Sequence, residues 1–256
     1  MLLILSPAKI QNFDVQNRTE KHTVPLFLDE ANYIIEDLRS LPKKQIAELL
    51  KTNNEITTTT YDQYYNWSKN HNTKNSKQAL FVYAGEVYRG LHAGGFTQSE
   101  IDFAQSHLRL LSGLYGVLRP LDLIQPYRFE MSAKLANNKG KDMYAFWAEK
   151  VTSAINKAIE ESGEPQVLLN LCSNEYFKAL NKKELNAPVI HFDFLENRND
   201  TYKPVTIYVK KARGLMTRYV IENRIDKVED LKAFDLEGYW FNSALSTGNK
   251  LVFTRE

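Results

Sequence analysis

The sequence predicts an α/β to α+β fold, a single compact mixed-sheet unit over residues 1–256 with surrounding helices. Three observations predict it. Short apolar runs alternate with amphipathic helical stretches, the pattern of helices packed on a central sheet. No Gly/Ser-rich linker and no repeat of solenoid length divides the chain. The 43% hydrophobic and 12% aromatic residues are enough for a sizeable core. Two lobes sharing a cleft stay open as the alternative.

Residues 1–5 are an apolar strand, stopped at Ser6-Pro7 because proline has no N–H to give a ladder. Residues 26–51 have helical spacing, with Ile46, Leu49 and Leu50 on one face and a break at Leu41-Pro42. The polar stretch 52–60 reads as surface, and Tyr61, Tyr64, Tyr65 and Trp67 as an amphipathic helical turn. Residues 79–83 form a compact apolar run expected as a buried strand, closed by Ala84-Gly85. Thr97 and Glu100 make a capping box for a helix over 97–107. Residues 108–111 are a short strand closed by Ser112-Gly113. The clearest helix is 142–161, with Phe146, Val151, Ile155 and Ile159 near one face and Gly163 ending it. A strand at 167–171 follows, then Ser173 as N-cap of a helix over 174–180. Residues 189–194 and 205–210 read as β segments, 215–224 as a helix after Gly214, and 251–254 as the last strand.

Formal net charge is +2, so nucleic-acid binding has to come from a local patch. A lone cysteine, Cys172, permits no intramolecular disulfide and fits a reducing, cytoplasmic setting. The apolar run at the start is too short for a signal core or a membrane span, so no membrane partner is expected. His22, His71, His92, His107 and His191 lack ligand spacing, and no glycine cluster fits a phosphate-loop or dinucleotide fingerprint. No metal and no cofactor are expected.

Four apolar runs end in small or polar clusters: Ser6-Pro7-Ala8-Lys9, Ala84-Gly85-Glu86, Ser112-Gly113 and Cys172-Ser173-Asn174. Parallel neighbours would bring these ends to one edge, where open α/β sheets bind ligands. Ordinary strand-to-helix turns use the same residues. Lys9, on a loop stiffened by Pro7, suits an anion, or a nucleophilic role if desolvated; a solvated loop lysine is the plainer reading. Ser6 has no base partner visible in the sequence. Arg119 and Arg128 sit beside X-Pro joints, ready to grip phosphate or carboxylate, or to pair with Asp122 and Glu130. Lys203, Lys210, Lys211, Arg213, Arg218 and Arg224 oppose only Glu222 in their segment. Arg218 and Glu222 are spaced to pair on a helix, which leaves Lys210, Lys211 and Arg213 freer. Gly113-Leu114-Tyr115-Gly116 has a loose likeness to glycine hairpins that offer amides to DNA phosphate. Cys172, ending an apolar run, reads as a buried structural thiol.

Ser6-Pro7-Ala8-Lys9, YAGEVYRGL from Tyr83, LSGLYGVLRPLDLIQPYRFEM from Leu111, NLCSNEYFKAL from Asn170, KKARGLMTRYVIENRI from Lys210 and DLKAFDLEGYWFN from Asp230, then LVFTR, closely resemble the bacterial YaaA family of peroxide stress proteins. The resemblance runs from Met1 to Arg255 and is looser near 14–78 and 192–203. It implies a cytoplasmic protein that limits unincorporated iron during hydrogen peroxide stress and so protects DNA and proteins from Fenton damage. It implies a positively charged cleft and binding of double-stranded DNA, distorted duplexes included. It places the cleft around Ser6, Lys9, Arg119, Arg128, Lys211 and Arg213, with Tyr83, Glu86, Ser112 and Ser173 as further contributors. Two positions depart from the family's pattern: Glu86 where aspartate is usual, and Cys172 where a small alanine is. Turnover stays open: an enzyme acting on a small anionic metabolite or nucleotide would use Lys9 and Glu86 as its catalytic candidates.

Overall fold

The computed structural model describes residues 1–14, 18–138 and 140–256. Its frame is an eight-stranded mixed sheet. In chain order the strands are β1 (Leu2–Leu5), β2 (Leu108–Ser112), β3 (Gly116–Leu118), β4 (Leu168–Asn170), β5 (Val189–Asn197), β6 (Tyr202–Lys203), β7 (Trp240–Phe241) and β8 (Lys250–Arg255). They lie in the order β7-β8-β5-β4-β1-β2-β3, with β6 also paired to β5. The five strands from β8 to β2 are mutually parallel, and β3, β6 and β7 are antiparallel additions.

Strand β1 is central, with Leu3 opposite Leu108 on one side and Leu169 on the other. All four of its residues are buried, as expected of a parallel strand covered on both faces. Each such leucine or isoleucine contributes about 1.5–3 kcal/mol relative to exposure. By contrast β5 alternates half-buried and buried residues along its length, so one of its faces is only partly covered.

The first helices are α1 (Leu28–Ser40), α2 (Lys43–Leu50) and α3 (Asn54–Asn66). The break at Leu41-Pro42 is where the sequence places it. The stretch 52–60, read as surface, is exposed or half-buried except at Thr57 and Thr60, and it opens α3, where Asn53 Oδ1 accepts from Ile56 N–H at 2.9 Å and caps the helix. Thr57, Thr60 and Tyr64 then share a buried face. The run 79–83 is not a sheet strand. It forms α4 (Ala79–Val82), then a two-residue ladder in which Tyr83–Ala84 pairs antiparallel with Ile10–Gln11. Ala79 and Leu80 N–H groups donate to Asp122 and Pro120 carbonyls, both at 2.9 Å, and hold this run off the sheet. An unalternating apolar run of five carries no period with which to separate strand from helix.

Next come α5 (Glu86–Leu91), α6 (Gln98–His107) with the expected Thr97/Glu100 capping box, α7 (Met143–Glu161) capped by Asp142, α8 (Asn174–Phe177) and α9 (Thr206–Asn223). The run 205–210, which reads as a β segment, instead begins α9, with Val205 as the N-cap and Thr206 the first helical residue. Its packing decides the matter. Gly90 of α5 and Gly214 of α9 lie so close to the opposing helix that a Cβ on Gly90 would stand 2.2 Å from Lys211 O, and one on Gly214 1.8 Å from Val87 O. Only glycine permits that approach. Among the described residues no helix is long and apolar enough to cross a membrane.

Candidate functional site

Three of the four strand-end clusters meet at the carboxyl edge of the parallel strands: Ser6 after β1, Ser112 ending β2, and Cys172-Ser173 after β4. Ser173 N–H donates to Ser6 Oγ at 2.8 Å, and Tyr88 OH donates to Ser6 O at 3.0 Å. The fourth cluster, Ala84-Gly85-Glu86, reaches the same place from its short ladder. Gly85 makes this possible with φ +113° and ψ −174°, which side chains strongly disfavour.

Between these ends and α9 lies a cleft of about 500 Å³. Its lining carries five basic residues, Lys9, Arg89, Arg128, Lys210 and Arg213, and three carboxylates, Glu86, Glu130 and Glu175. Lys9 Nζ stands 3.1 Å from Glu130 Oε1, and Arg128 Nη2 stands 3.5 Å from the same oxygen. Glu86 pairs with Arg89 at 2.9 Å, and Glu175 accepts from Ser132 Oγ at 2.8 Å. Lys210 and Arg213 have no ion pair or side-chain hydrogen bond among the described residues.

Arg213 is the more telling of the two. It is half-buried, and burial pulls its guanidinium down from the usual arginine value. Of the groups that act on it, Asp193 makes no ion pair with it and is itself paired with Lys250, and the Cys172 thiol is neutral. An arginine stays charged, so its desolvation is left uncompensated until an anion arrives. Arg128 shows a related deficit: its Nε is buried without a hydrogen-bond partner.

Behind the cleft runs a chain of hydroxyls. Ser112 Oγ and Tyr127 OH are 2.7 Å apart, and Tyr127 OH and Tyr83 OH 2.6 Å apart. Burial pushes the Tyr127 phenol up to about 12 and Tyr83 well above its usual value, so both are neutral hydrogen-bonding struts at physiological pH.

Of the residues singled out in the sequence, Ser6, Lys9, Glu86, Arg128, Ser173 and Arg213 line the cleft, and Ser112 and Tyr83 support it through Tyr127. Arg119 and Lys211 do not line it. Arg119 binds Asp122 through Nη2 at 3.0 Å and donates to Val24 O at 2.9 Å, the loop-tying alternative. Lys211 pairs with Glu237. Lys210 and Arg89 take their places in the lining. Reading 205–210 as helix would have found Lys210, because residues three apart on a helix share a face while the next residue turns away. Gly113-Leu114-Tyr115-Gly116 is wholly buried and offers no amides to DNA, so that likeness is corrected. Lys9 is 60% exposed and paired, so the desolvation that activates a nucleophilic lysine is missing.

Cys172 is 3% exposed, and its Sγ–H donates to Asn170 Oδ1 at 2.9 Å. Burial pushes the thiol up to about 12. A thiolate is the reactive form. The native protein should therefore leave its thiol unmodified by a disulfide reagent at pH 8 over hours and release one equivalent on denaturation; rapid native labelling would contradict this. No group of three or more His, Cys, Asp or Glu side chains among the described residues is arranged to hold a metal ion.

The family described as Peroxide stress protein YaaA matches residues 1–245. A UPF0246 protein of Saccharophagus degradans is 45% identical over 256 residues, spanning the whole of both chains.

Proposed function

This chain belongs to the peroxide stress protein YaaA family, and from that membership we propose that it acts as one unit over residues 1–256 to limit unincorporated iron during peroxide stress, and that its cleft holds the phosphate backbone of DNA. The observation that carries the DNA part is the unpaired, half-buried Arg213 beside unpaired Lys210 in a cleft that also holds Lys9 and Arg128. Contacts of this kind hold phosphate and read no sequence. The iron part follows from the family likeness, and the shielding of DNA from Fenton damage links the two.

Fluorescence anisotropy across a salt series tests the DNA part. The logarithm of affinity should fall linearly with the logarithm of salt, and Arg213→Ala with Lys210→Ala should make the slope shallower by about 2. Lys211→Ala, whose side chain is engaged with Glu237, should leave the slope nearly unchanged. Salt-insensitive binding, or equal loss in Lys211→Ala, would contradict the assignment.

A second reading is favoured by the size and position of the cleft. About 500 Å³ at the carboxyl ends of parallel strands suits one small anionic metabolite or nucleotide. A ligand at 100 times its Kd would add about 2.7 kcal/mol to native stability, readable in a thermal-shift screen.

A further inference from the structure

We infer that a second pocket, backed by Tyr83 and Tyr88, binds a small aromatic monocarboxylate, with its ring on the two tyrosines and its carboxylate on Arg18. The inference is independent of what the cleft holds, because the two share no lining residue.

The pocket has a volume of about 400 Å³. That suits a small molecule, for which sites run from about 300 to 1,000 Å³. Its composition is the reverse of the cleft's. Leu80, Phe81, Tyr83, Tyr88 and Ala93 make the lining mostly apolar, and its charged or ionisable groups beyond the phenols are Arg18 and His92. An apolar, aromatic wall with one or two placed polar groups is the usual make-up of a small-ligand site.

The tyrosines are fixed and their hydroxyls are taken. Tyr83 OH is 2.6 Å from Tyr127 OH, and Tyr88 OH donates to Ser6 O at 3.0 Å. The two rings lie 5.3 Å apart, tilted by 46°. What they offer an occupant is therefore ring carbon, and a tilted pair of this kind favours a third ring.

The charge comes from Arg18. A Cβ built on Gly94 would lie 3.7 Å from Arg18 Nη2, which places the guanidinium against the short turn Ala93–Gly95. Arg18 makes no ion pair or hydrogen bond among the described residues, and neither Asp14 nor Glu20 nearby in sequence is paired with it. His92 ends α5 with φ 48°, and its ring folds over Gly95, where a Cβ would meet His92 Cδ2 at 2.9 Å. A lone guanidinium matches a carboxylate, which it grips through two parallel hydrogen bonds. A phosphate monoester brings roughly 1.5–2 negative charges, and the described lining has no lysine and no second arginine to meet them.

Fluorine NMR of para-fluorophenylacetate, titrated into the full chain at millimolar concentration, tests the site. Its amide and para-fluorophenyl phosphate are the comparison probes. Wild type should broaden and shift the carboxylate's signal in a saturable way. The amide, and the carboxylate with Arg18→Gln, should bind at least about tenfold more weakly, the scale of a charge-assisted hydrogen bond. Gly94→Leu, which places a side chain in the lining, should lose the probe to a similar extent. The Lys210→Ala/Arg213→Ala pair should bind it like wild type. Melting curves of each variant separate lost binding from lost folding; Arg18 is exposed, so its variant keeps the test open if Gly94→Leu is unstable. No saturable binding by wild type overturns the inference, as does wild-type affinity in folded Arg18→Gln or Gly94→Leu. Loss of binding in the Lys210→Ala/Arg213→Ala pair would move the probe to the cleft and overturn it too. Tighter binding of the phosphate than of the carboxylate would overturn the ligand class.

Discussion

Gly214→Ala is expected to destabilise the protein by about 3 kcal/mol, the upper end for overpacking, because its new methyl meets backbone rather than a flexible side chain. At 1.8 Å from Val87 O and 2.7 Å from Leu91 N, the added Cβ would have to push α5 and α9 apart. In a chain of this length that is a fall in Tm of roughly 6–12 °C. The two helices carry Glu86, Arg89, Lys210 and Arg213, so separating them also widens the cleft. The DNA affinity proposed for the cleft should therefore fall along with stability. Gly94→Ala is the matched control: its Cβ would lie 3.7 Å from Arg18 Nη2, an ordinary contact. Thermal melts of both variants check the claim, and equal Tm values would refute the reciprocal glycine contact.

The second large effect is acid sensitivity from His71. Its ring is 8% exposed, shares a hydrogen bond with Tyr115 OH at 3.0 Å, and lies 3.2 Å from Gln125 Nε2. Burial pulls the imidazole down to about 4 from an ordinary 6.5, while hydrogen bonds to the Lys69 and Ser68 backbone oppose the shift. The native state thus holds His71 neutral, whereas the unfolded chain takes up a proton near pH 6.5. Stability from this group is complete above that pH, falls as pH drops toward 4, and levels off below it. The loss is on the order of 3 kcal/mol. Tyr115 in turn packs edge-on against Tyr127 at 5.3 Å, and Tyr127 lines the cleft. Denaturant titrations at pH 7, 6, 5 and 4 should show the fall. In His71→Phe the slope between pH 6.5 and 4 should be shallower by about 1.4 kcal/mol per pH unit, one proton's worth. An unchanged slope would place the acid sensitivity elsewhere.

Much of the sheet was legible in the sequence because its parallel interior strands are short apolar runs that end at turn residues. Runs 1–5, 108–111 and 167–171 became β1, β2 and β4 for that reason. The same rule misassigned 79–83, where two carbonyls from the 120–122 turn capture the backbone amides. It also misassigned 205–210, where local β propensity gave way to a helix–helix contact that depends on Gly90, more than a hundred positions away. The site was legible as residue types at strand ends, which is a local property. Which cations were already neutralised was not legible, since Lys211–Glu237 and Lys9–Glu130 are partners distant in sequence. Arg119 and Arg128 show the same limit at short range. Both stand beside prolines and near carboxylates, yet Arg119 is tied to Asp122 while Arg128 reaches the cleft.

The distribution of counter-charges is what gives the cleft its direction. Three of its five cations are held against carboxylates and shape the walls, while Lys210 and Arg213 are left with charge to spend on a ligand. If that spare charge is what a peroxide stress protein uses, its loss should disable protection in a cell without unfolding the protein. The direct measurement is the level of unincorporated iron, by electron paramagnetic resonance of chelated ferric ion, after a peroxide challenge in cells lacking this protein and supplied with wild type, Lys211→Ala or the Lys210→Ala/Arg213→Ala pair at equal abundance. The iron pool should stay low with wild type and Lys211→Ala and rise with the pair to the level of cells that have none. Full protection by the pair would mean that the cleft is not the working surface.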